Sequence, residues 1–506
     1  MSRLAQHARV FERIAQGVGS AVRFDRAFRR FLDASGPAPL VQMPVRSPAL
    51  VVVQPWVSAT AVPWHLFAFA RLLGRRNGNT AMLWDDTVVF PRDLPARAQS
   101  VAIARLLRRI GLPSWRLGHF AGQSPLPVHE LRLVARMNAI KVYRGEEWPL
   151  AQERLATQLE ARLRGAAASL DSFLTAIRPE YLVIIGGLFS TSGVYPALAR
   201  RHGIRLASMD FGAGIFQLSV DGIAAHLDDI PATIASLGSI DRVAVDRARA
   251  EFEQRRRGAD RFSFQKVAAG VGDGEGVGAL LPLNQSHDGA ALGVGSTFAT
   301  QDEWLMATVR WLLDETNERI VIRQHPCERF DRGNDDYAAR LRRHFGDTPR
   351  IRFIAAADSV NTYDLVMRAK VVLPHSSSVG IEATGMGVPV VVASDCYYAR
   401  LGIVWRGATR LEYFQRIQDA LAGRLSVDDD RRDRAWTCYY FTTVASFFPC
   451  GFTPFAEDYA RWSKTSLQTL WGDQAVQDIL TAVDDGIPLP VVQHRREVAM
   501  RGRGLP

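Results

Sequence analysis

Short apolar runs alternate with amphipathic stretches along most of this chain. The first run is Leu50–Gln54, an amphipathic stretch follows at about 64–75, and a second apolar run covers 80–84. Short apolar runs bounded by turn residues are typical of buried strands, whereas apolar positions three and four apart are typical of helices. Strand, helix and strand in this order form a βαβ unit, which predicts a parallel sheet.

The same alternation returns after a helical middle section at about 98–178. The strands predicted there and later are 181–185, 204–208, 279–283, 319–323, 351–354, 370–373 and 389–393. The helices predicted between them are 192–202, 302–314, 336–344, 361–369 and 378–386. We therefore expect an α/β protein of GT-B-like architecture, with two Rossmann-like, doubly wound domains that face a central cleft. Ligands of open α/β sheets bind beyond the carboxyl ends of the strands.

Changes in composition divide the chain into five segments. We expect basic amphipathic helices over 1–45, an acceptor-side Rossmann-like domain over 46–255, and a Gly-rich linker over 256–278. A nucleotide-sugar-binding Rossmann-like domain is expected over 279–454, followed by C-terminal helices and a tail over 455–506. The linker is predicted from its charged start and its alternating glycines, a flexible composition.

Near the N-terminus, an apolar stripe at helical spacing lies opposite a row of arginines. Its members are Leu4, Phe11, Ile14, Val18, Val22, Phe28, Phe31 and Leu32. Such a helix docks on an anionic membrane surface or packs against the body of its own protein, and both interpretations stay open. The first predicts peripheral contact with the inner membrane leaflet, and loss of that contact when residues 1–35 are deleted.

Composition and charge narrow the compartment and the partners. The chain of 506 residues is 47% apolar, carries a net charge of +10 and has four cysteines without a CxxC pair. This composition favours a reducing cytoplasm over a disulfide framework or a structural zinc site. We expect no signal peptide, because the first residues carry charges throughout, and no apolar run of about 20 residues occurs. The positive charge suits phosphorylated small molecules or a phospholipid surface, although GC-rich codon usage also enriches arginine. We expect no nucleic-acid partner, because no basic stretch is interleaved with aromatic residues.

A Ser-rich turn between two predicted strands is the sharpest candidate site. Ser376, Ser377 and Ser378 follow a strand that ends near residue 373, and Gly380 and Glu382 lie in the helix that comes next. Serines at a helix start cap its N–H groups, and such N–H groups also bind phosphate. Glu382 would then accept hydrogen bonds from a ribose. An ordinary capped helix gives the same residue types, so both interpretations remain.

Two further strand ends offer polar groups. Arg323, His325 and Pro326 end the predicted strand 319–323, where Arg323 would clamp a phosphate and His325 would donate a proton or a hydrogen bond to it. Asn284 follows the first strand of the same domain, in a loop of polar residues. A histidine at a strand end and a polar turn are each common in structural roles.

Taken together, these segments resemble the capsule polysaccharide biosynthesis family of GT-B glycosyltransferases, which includes the β-Kdo transferases. The similarity rests on Pro282–Asn284, His325–Pro326 and Ser377–Ala383, with Asn361–Asp364 as a further helix start. It covers roughly 279–405 well and the N-terminal half in outline. The resemblance implies that these segments line a nucleotide-sugar site. Asn284 stands where the family usually has glutamine.

The N-terminal half is expected to hold the acceptor. An inverting transfer needs a carboxylate or histidine near the acceptor hydroxyl, and Asp210, Asp85 and His65 are the candidates in loops after predicted strands. We prefer Asp210, because it lies in the Gly-rich turn Met209–Gly214. A turn-forming aspartate explains each of these positions equally well.

These observations lead to one expectation and two alternatives. We expect a metal-independent glycosyltransferase with no cofactor beyond its nucleotide-sugar co-substrate, for which CMP-Kdo is a candidate. The expected acceptor is a growing bacterial surface or capsular polysaccharide or a lipid-linked molecule. Other polysaccharide-assembly proteins are expected as partners. The alternatives are a CDP-alcohol polyol-phosphate transferase and a non-catalytic GT-B-shaped assembly subunit. No P-loop, convincing GxGxxG, HExxH or GxSxG motif occurs. The DxD at Asp428–Asp430 lies in a charged segment that does not suggest a metal site.

Overall fold

The computed structural model describes most of the chain in two compact units. The described residues are 15, 18–19, 22–23, 25–35, 47–56, 62–87, 89–90, 94–147, 150–212, 215–237, 242–260, 276–446, 448–449 and 464–502. Unit 1 comprises 1–138, 154–224 and 446–506, and unit 2 comprises 139–153 and 225–445.

Strands and helices alternate through both units. In chain order the strands are β1 (Ala49–Val53), β2 (Thr80–Trp84), β3 (Ser114–Arg116), β4 (Tyr181–Ile185), β5 (Arg205–Gly212), β6 (Ile215–Val220), β7 (Val277–Pro282), β8 (Ile320–Arg323), β9 (Ile351–Ile354), β10 (Ala369–Val372), β11 (Val391–Val392), β12 (Trp405–Arg406) and β13 (Phe448–Pro449). The α-helices are α1 (Val62–Asn77), α2 (Leu94–Leu107), α3 (Val128–Tyr143), α4 (Leu150–Ile177), α5 (Tyr195–His202), α6 (Ile230–Leu237), α7 (Arg242–Arg256), α8 (Gln301–Glu315), α9 (Tyr337–Phe345), α10 (Thr362–Val366), α11 (Val379–Gly385), α12 (Arg410–Leu421), α13 (Asp429–Tyr439), α14 (Leu467–Trp471), α15 (Gln474–Asp485) and α16 (Leu489–Gly502).

Unit 1 is built on a seven-stranded sheet with the order β13-β6-β5-β4-β1-β2-β3. Strands β5, β4, β1, β2 and β3 run parallel, whereas β6 and β13 are antiparallel additions at one edge. All five residues of β1 are buried, as a central parallel strand covered on both faces requires. Because β2 and β4 flank β1 on opposite sides, the strand order reverses there, which is the switch point of a doubly wound sheet.

The N-terminal apolar stripe contributes to the core of unit 1. Phe28 and Phe31 are completely buried in the same cluster as Phe67, and the rings of Phe28 and Phe67 lie 6.0 Å apart. The stripe over 25–35 therefore packs against the protein's own body, which corrects the membrane-docking interpretation for this part. Residues 1–14, which contain the first part of the stripe, lie outside the described part of the chain.

Unit 2 contains a four-stranded parallel sheet with the order β10-β7-β8-β9. A β-bridge between Val372 and Val390 continues it toward the small parallel pair of β11 and β12. Since β8 and β10 lie on opposite sides of β7, the order reverses at β7. The three predicted site segments follow β7, β8 and β10, so they meet at the carboxyl edge of this sheet.

The unit boundaries differ from the predicted domain boundaries. Helix α7 belongs to unit 2, where the ring of Phe252 lies 4.9 Å from that of Tyr363 and 5.1 Å from that of Trp436. The stretch 139–153 also groups with unit 2. Of the predicted linker, residues 261–275 lie outside the described residues, as does 451–463 near the predicted start of the C-terminal helices. Helices α14 to α16 group with unit 1.

The predicted fold class is confirmed as α/β, with a mainly parallel sheet in unit 1 and a fully parallel sheet in unit 2. The predicted central cleft remains a prediction. Within the described ranges, no helix is both long and apolar enough to cross a membrane.

Candidate functional site

A cavity opens at the carboxyl edge of the unit 2 sheet. The cavity is partly open to solvent. Its lining comes from the ends of β7 and β8, the start of α10, the Ser-rich turn and the last turn of α7. The lining residues are Arg255, Pro282, Leu283, Arg323, His325, Pro326, Thr362, Tyr363, Ser377, Ser378 and Val379. The three segments singled out in the sequence thus line one cavity.

Arg323 brings a buried positive charge to this cavity. Its terminal nitrogens donate to the carbonyl oxygens of Ala355 and, at 3.2 Å, of Val360, both in the loop after β9. Burial lowers the pKa of Arg323 to about 10, an effect that nearby Asp358 partly offsets, so the group stays charged at neutral pH. Its Nε lacks a hydrogen-bond partner, and no carboxylate among the described residues forms an ion pair with it. A cation held in this way favours an anionic ligand.

His325 lies beside Arg323 and caps the short turn Pro326–Arg329. Its Nδ1 accepts a hydrogen bond from the Cys327 N–H at 3.2 Å. The neutral ring therefore carries its hydrogen on Nε2. Burial lowers the pKa of His325 to about 4, with smaller lowering effects from Arg255 and Arg323 and an opposing effect of Asp288. At neutral pH the ring is therefore uncharged and acts as a hydrogen-bond donor. An anion beside it would raise its pKa and allow it to become protonated.

Glu382 lies behind the lining of the cavity. Its side chain has no exposed surface, and one oxygen lies 3.4 Å from Nε of Arg255. The other oxygen accepts a hydrogen bond from the Tyr363 hydroxyl at 2.9 Å. The ribose contact predicted for Glu382 stays a prediction, and both of its oxygens have contacts within unit 2.

The serines of the Ser-rich turn have two different roles. Ser377 and Ser378 line the cavity. Ser376 instead donates its N–H to Oδ1 of Asn284 at 3.2 Å and its hydroxyl to the carbonyl oxygen of Ala290 at 3.1 Å. Both Asn284 and Ser376 are buried. They tie the loop after β7 to the loop after β10, while the cavity wall is formed by their neighbours.

Gly380 is required for packing in this structure. A Cβ atom added there would lie 2.6 Å from the Tyr398 hydroxyl oxygen and 2.9 Å from two atoms of its ring. Real Cβ atoms do not approach neighbours that closely, so a larger residue would have to displace Tyr398. The sequence interpretation gave Gly380 a different reason, the close approach of a ligand.

The candidate bases of the N-terminal half lie in unit 1. Asp210 is paired with Gln217 in the β5–β6 hairpin, so it lies on a strand and not in the predicted turn; residues 213–214 of that segment are outside the described residues. Asp85 is fully buried and accepts hydrogen bonds from Thr191 at 2.5 Å and Tyr195 at 3.1 Å. Burial raises the pKa of Asp85. His65 is buried within α1.

Arg255 was missed by the sequence interpretation. It begins a run of three arginines, which looked like the charged start of the predicted linker. The usable signal was the helical spacing of Val245, Ala248 and Phe252, which are buried in the core of unit 2 and place α7 there.

The aspartates of the DxD segment make contacts at the start of helix α13. Asp428 accepts the Arg431 N–H at 2.8 Å as the N-cap of α13, and Asp430 forms an ion pair with Arg434 at 2.7 Å. In the part of the chain that the structure describes, no cluster of three or more histidine, cysteine, aspartate or glutamate side chains could hold a metal ion.

Comparisons with known proteins found similar solved structures at low identity and no matching sequence. No family model matches the chain, and no curated protein sequence matches it. Similar solved structures include two transferases of KpsC from Thermosulfurimonas dismutans. The β-Kdo 2,4 transferase is 16% identical with a TM-score of 0.35, over 48% of this chain and 79% of that one. The β-Kdo 2,7 transferase is 14% identical with a TM-score of 0.33, over 60% and 89%.

A third similar structure is HepE from Anabaena in complex with UDP-glucose. It is 12% identical with a TM-score of 0.27, over 83% of this chain and 99% of that one. At such identities and scores these likenesses decide neither family nor activity. The fold class rests on the two parallel sheets themselves.

Proposed function

We propose that this chain is a glycosyltransferase that moves a sugar from a nucleotide-sugar donor to a growing bacterial surface or capsular polysaccharide or a lipid-linked acceptor. The observation that carries the proposal is Arg323, a buried guanidinium without a carboxylate partner among the described residues, at the wall of a cavity. His325, Ser377 and Ser378 line the same cavity with hydrogen-bonding groups. The cavity lies at the carboxyl edge of a doubly wound sheet, where such folds bind nucleotides.

The charges around the cavity favour an anionic ligand. Arg323 carries one positive charge, the charges of Arg255 and Glu382 offset each other across 3.4 Å, and His325 is neutral at pH 7. A net positive charge at the cavity suits the phosphate of a nucleotide-linked sugar, and CMP-Kdo is one donor of this kind.

The proposed reaction places the leaving phosphate at Arg323. The bond between the anomeric carbon and the phosphate oxygen breaks, and negative charge collects on that oxygen. A fixed guanidinium and the Nε2–H of His325 stabilise this charge without reorganisation, so the step requires no metal. The acceptor hydroxyl forms the new bond to the anomeric carbon and loses its proton to a base, for which we propose Asp210 in unit 1, with Asp85 and His65 as the remaining candidates.

Location and partners follow from the proposed acceptor. We propose a cytoplasmic protein that meets lipid-linked acceptors at the inner membrane leaflet and works beside other polysaccharide-assembly proteins. The buried aromatic rings of 25–35 do not supply the membrane contact.

The test is nucleotide release from CMP-, CDP-, UDP- and GDP-linked sugars, with and without a lipid-linked oligosaccharide acceptor. We expect acceptor-dependent release of one nucleotide, lost in Arg323→Gln and His325→Ala and retained in Arg342→Gln, an exposed arginine of the same unit. Release from CDP-alcohols, with phosphate in the product, would establish the polyol-phosphate transferase instead. A protein that binds nucleotides and turns over none of them would be an assembly subunit.

A further inference from the structure

Arg255 and Glu382 form an ion pair of which only one end reaches the cavity. Nε of Arg255 lies 3.4 Å from Oε1 of Glu382, and 19% of the Arg255 side chain is exposed against 0% of Glu382. Arg255 lines the cavity, and Glu382 is not part of the lining. Arg255 is therefore the member of this pair that a ligand in the cavity can contact.

Both oxygens of Glu382 are engaged inside unit 2. Oε1 faces Arg255 and also accepts the Ser378 hydroxyl at 3.4 Å, while Oε2 accepts the Tyr363 hydroxyl at 2.9 Å. Both oxygens of this unexposed carboxylate are therefore directed at neighbouring side chains and not at the cavity. Its contacts orient Arg255 and Tyr363, two residues of the lining.

The end of α7 that carries Arg255 is anchored to the neighbouring elements. Phe252, one turn earlier, packs edge-on against Tyr363 with ring centres 4.9 Å apart. Asn361 Nδ2 donates to the carbonyl oxygen of Arg256 at 2.8 Å, and the same side chain caps the start of α10. Arg255 is therefore held at a fixed place in the cavity wall, which is what a ligand-binding group requires.

We infer that Arg255 binds the anionic group of the ligand directly, and that Glu382 is a positioning residue that acts through Arg255. This inference rests on the proposed function. A buried ion pair by itself contributes little to stability, because desolvation offsets the attraction between its charges. A guanidinium of the cavity lining that is oriented by a fully buried carboxylate can take part in charge-assisted binding of phosphate.

The experiment compares the affinities of the full chain for CMP, UDP and GDP, for the 2′-deoxy analogue of each, and for inorganic pyrophosphate. The variants are Arg255→Gln, Arg255→Lys, Glu382→Gln and the double variant Arg255→Gln with Glu382→Gln, with Arg256→Gln as the neighbouring control. We expect Arg255→Gln and Glu382→Gln each to weaken every phosphate-bearing probe about tenfold. The double variant should lose no more affinity than Arg255→Gln alone, and Arg255→Lys should retain more affinity than Arg255→Gln. The ratio of the affinity for a ribonucleotide to that for its 2′-deoxy analogue should be the same in every variant.

A direct ribose contact of Glu382 predicts a different pattern, and that pattern overturns the inference. Glu382→Gln would then weaken only the ribonucleotides, and pyrophosphate binding would stay unchanged. Wild-type affinity of Arg255→Gln for all probes overturns it as well. A wild-type protein that binds pyrophosphate through Arg255 but no nucleotide contradicts the proposed function alone, and one that binds none of the probes contradicts both. The double variant removes both charges, so it reports on binding even where a single variant fails to fold.

Discussion

The Tyr398 hydroxyl donates a hydrogen bond to the carbonyl oxygen of Ser377 at 2.7 Å. Ser377 lines the cavity, and Tyr398 is fully buried beneath it. This bond fixes the backbone of the Ser-rich turn from below. It exists only because Gly380 leaves room for the tyrosine ring.

Gly380→Ala should therefore disturb the turn through Tyr398. The added methyl group would lie 2.6 Å from the Tyr398 hydroxyl, so the ring must move and its bond to Ser377 is strained or lost. We expect the free energy of unfolding to fall by about 1–3 kcal/mol, measured by urea denaturation. The control is Gly165→Ala in α4, where a Cβ meets nothing within 4 Å; it should stabilise the protein by about 0.5–1 kcal/mol. Equal effects of the two changes would contradict this packing account.

His375 should make stability depend on pH. Its side chain is buried against Trp304, and burial lowers its pKa to about 4. The unfolded state takes up a proton near the ordinary pKa of about 6.5, whereas the folded state resists protonation. The contribution is therefore fully present above pH 6.5 and is lost as the pH falls toward 4, by up to about 3 kcal/mol.

The measurement is the free energy of unfolding at pH 7 and pH 5 for wild type, His375→Asn and His119→Gln. His119 is exposed and serves as the control. We expect His375→Asn to reduce the difference between the two pH values. If the free energy of unfolding of His375→Asn differs between pH 7 and pH 5 as much as that of wild type, His375 does not cause the pH dependence.

Phe28 tests the role of the N-terminal helical stretch. It is completely buried and packs on Phe67 in unit 1. We expect Phe28→Ala to lower the free energy of unfolding by about 3–5 kcal/mol, because it leaves a cavity in that core. Arg30→Ala, at an exposed position of the same stretch, should change it by less than about 0.5 kcal/mol. A stable Phe28→Ala protein that has lost membrane binding would instead support the membrane-docking interpretation.

Asp210 and Asp85 should respond differently to substitution. Asp85 accepts the Thr191 and Tyr195 hydroxyls inside unit 1, so Asp85→Ala should lower the free energy of unfolding by about 1–3 kcal/mol. Asp210→Asn should leave stability and nucleotide affinity intact, while it lowers the rate of sugar transfer at least about a hundredfold. Full transfer activity in Asp210→Asn would remove it from the candidate bases.

The sequence alone was sufficient to predict those elements that have a clear pattern of apolar residues. The strands predicted at 181–185, 319–323 and 351–354 agree within a residue with β4, β8 and β9. Strand β4 is the clearest case, because it is a continuous apolar run that is buried throughout. The alternation of strands and helices in the sequence was also enough to place the loops after β7, β8 and β10 at one edge of a sheet.

Contacts between side chains distant in the chain could not be derived in this way. Arg255 and Glu382 are far apart in sequence, and a run of arginines has the same composition in a linker as at the end of a packed helix. The reason for Gly380 lies in the ring of Tyr398, which only the tertiary structure brings beside it. Asp210 was expected in a turn because glycines follow it, yet β5 extends through Gly212 by pairing with β6.

Calorimetric titration of the full chain with CMP, CDP, UDP, GDP and ADP tests the central claim, that the unit 2 cavity binds a nucleotide through Arg323. We predict that one of these nucleotides binds to wild type and to Arg342→Gln with equal affinity. Its affinity should fall at least about tenfold in Arg323→Gln, and also in His325→Ala, which spares the hydrogen bonds from Arg323 to Ala355 and Val360. If no nucleotide binds, or if both site variants bind as wild type does, the account of this cavity is wrong.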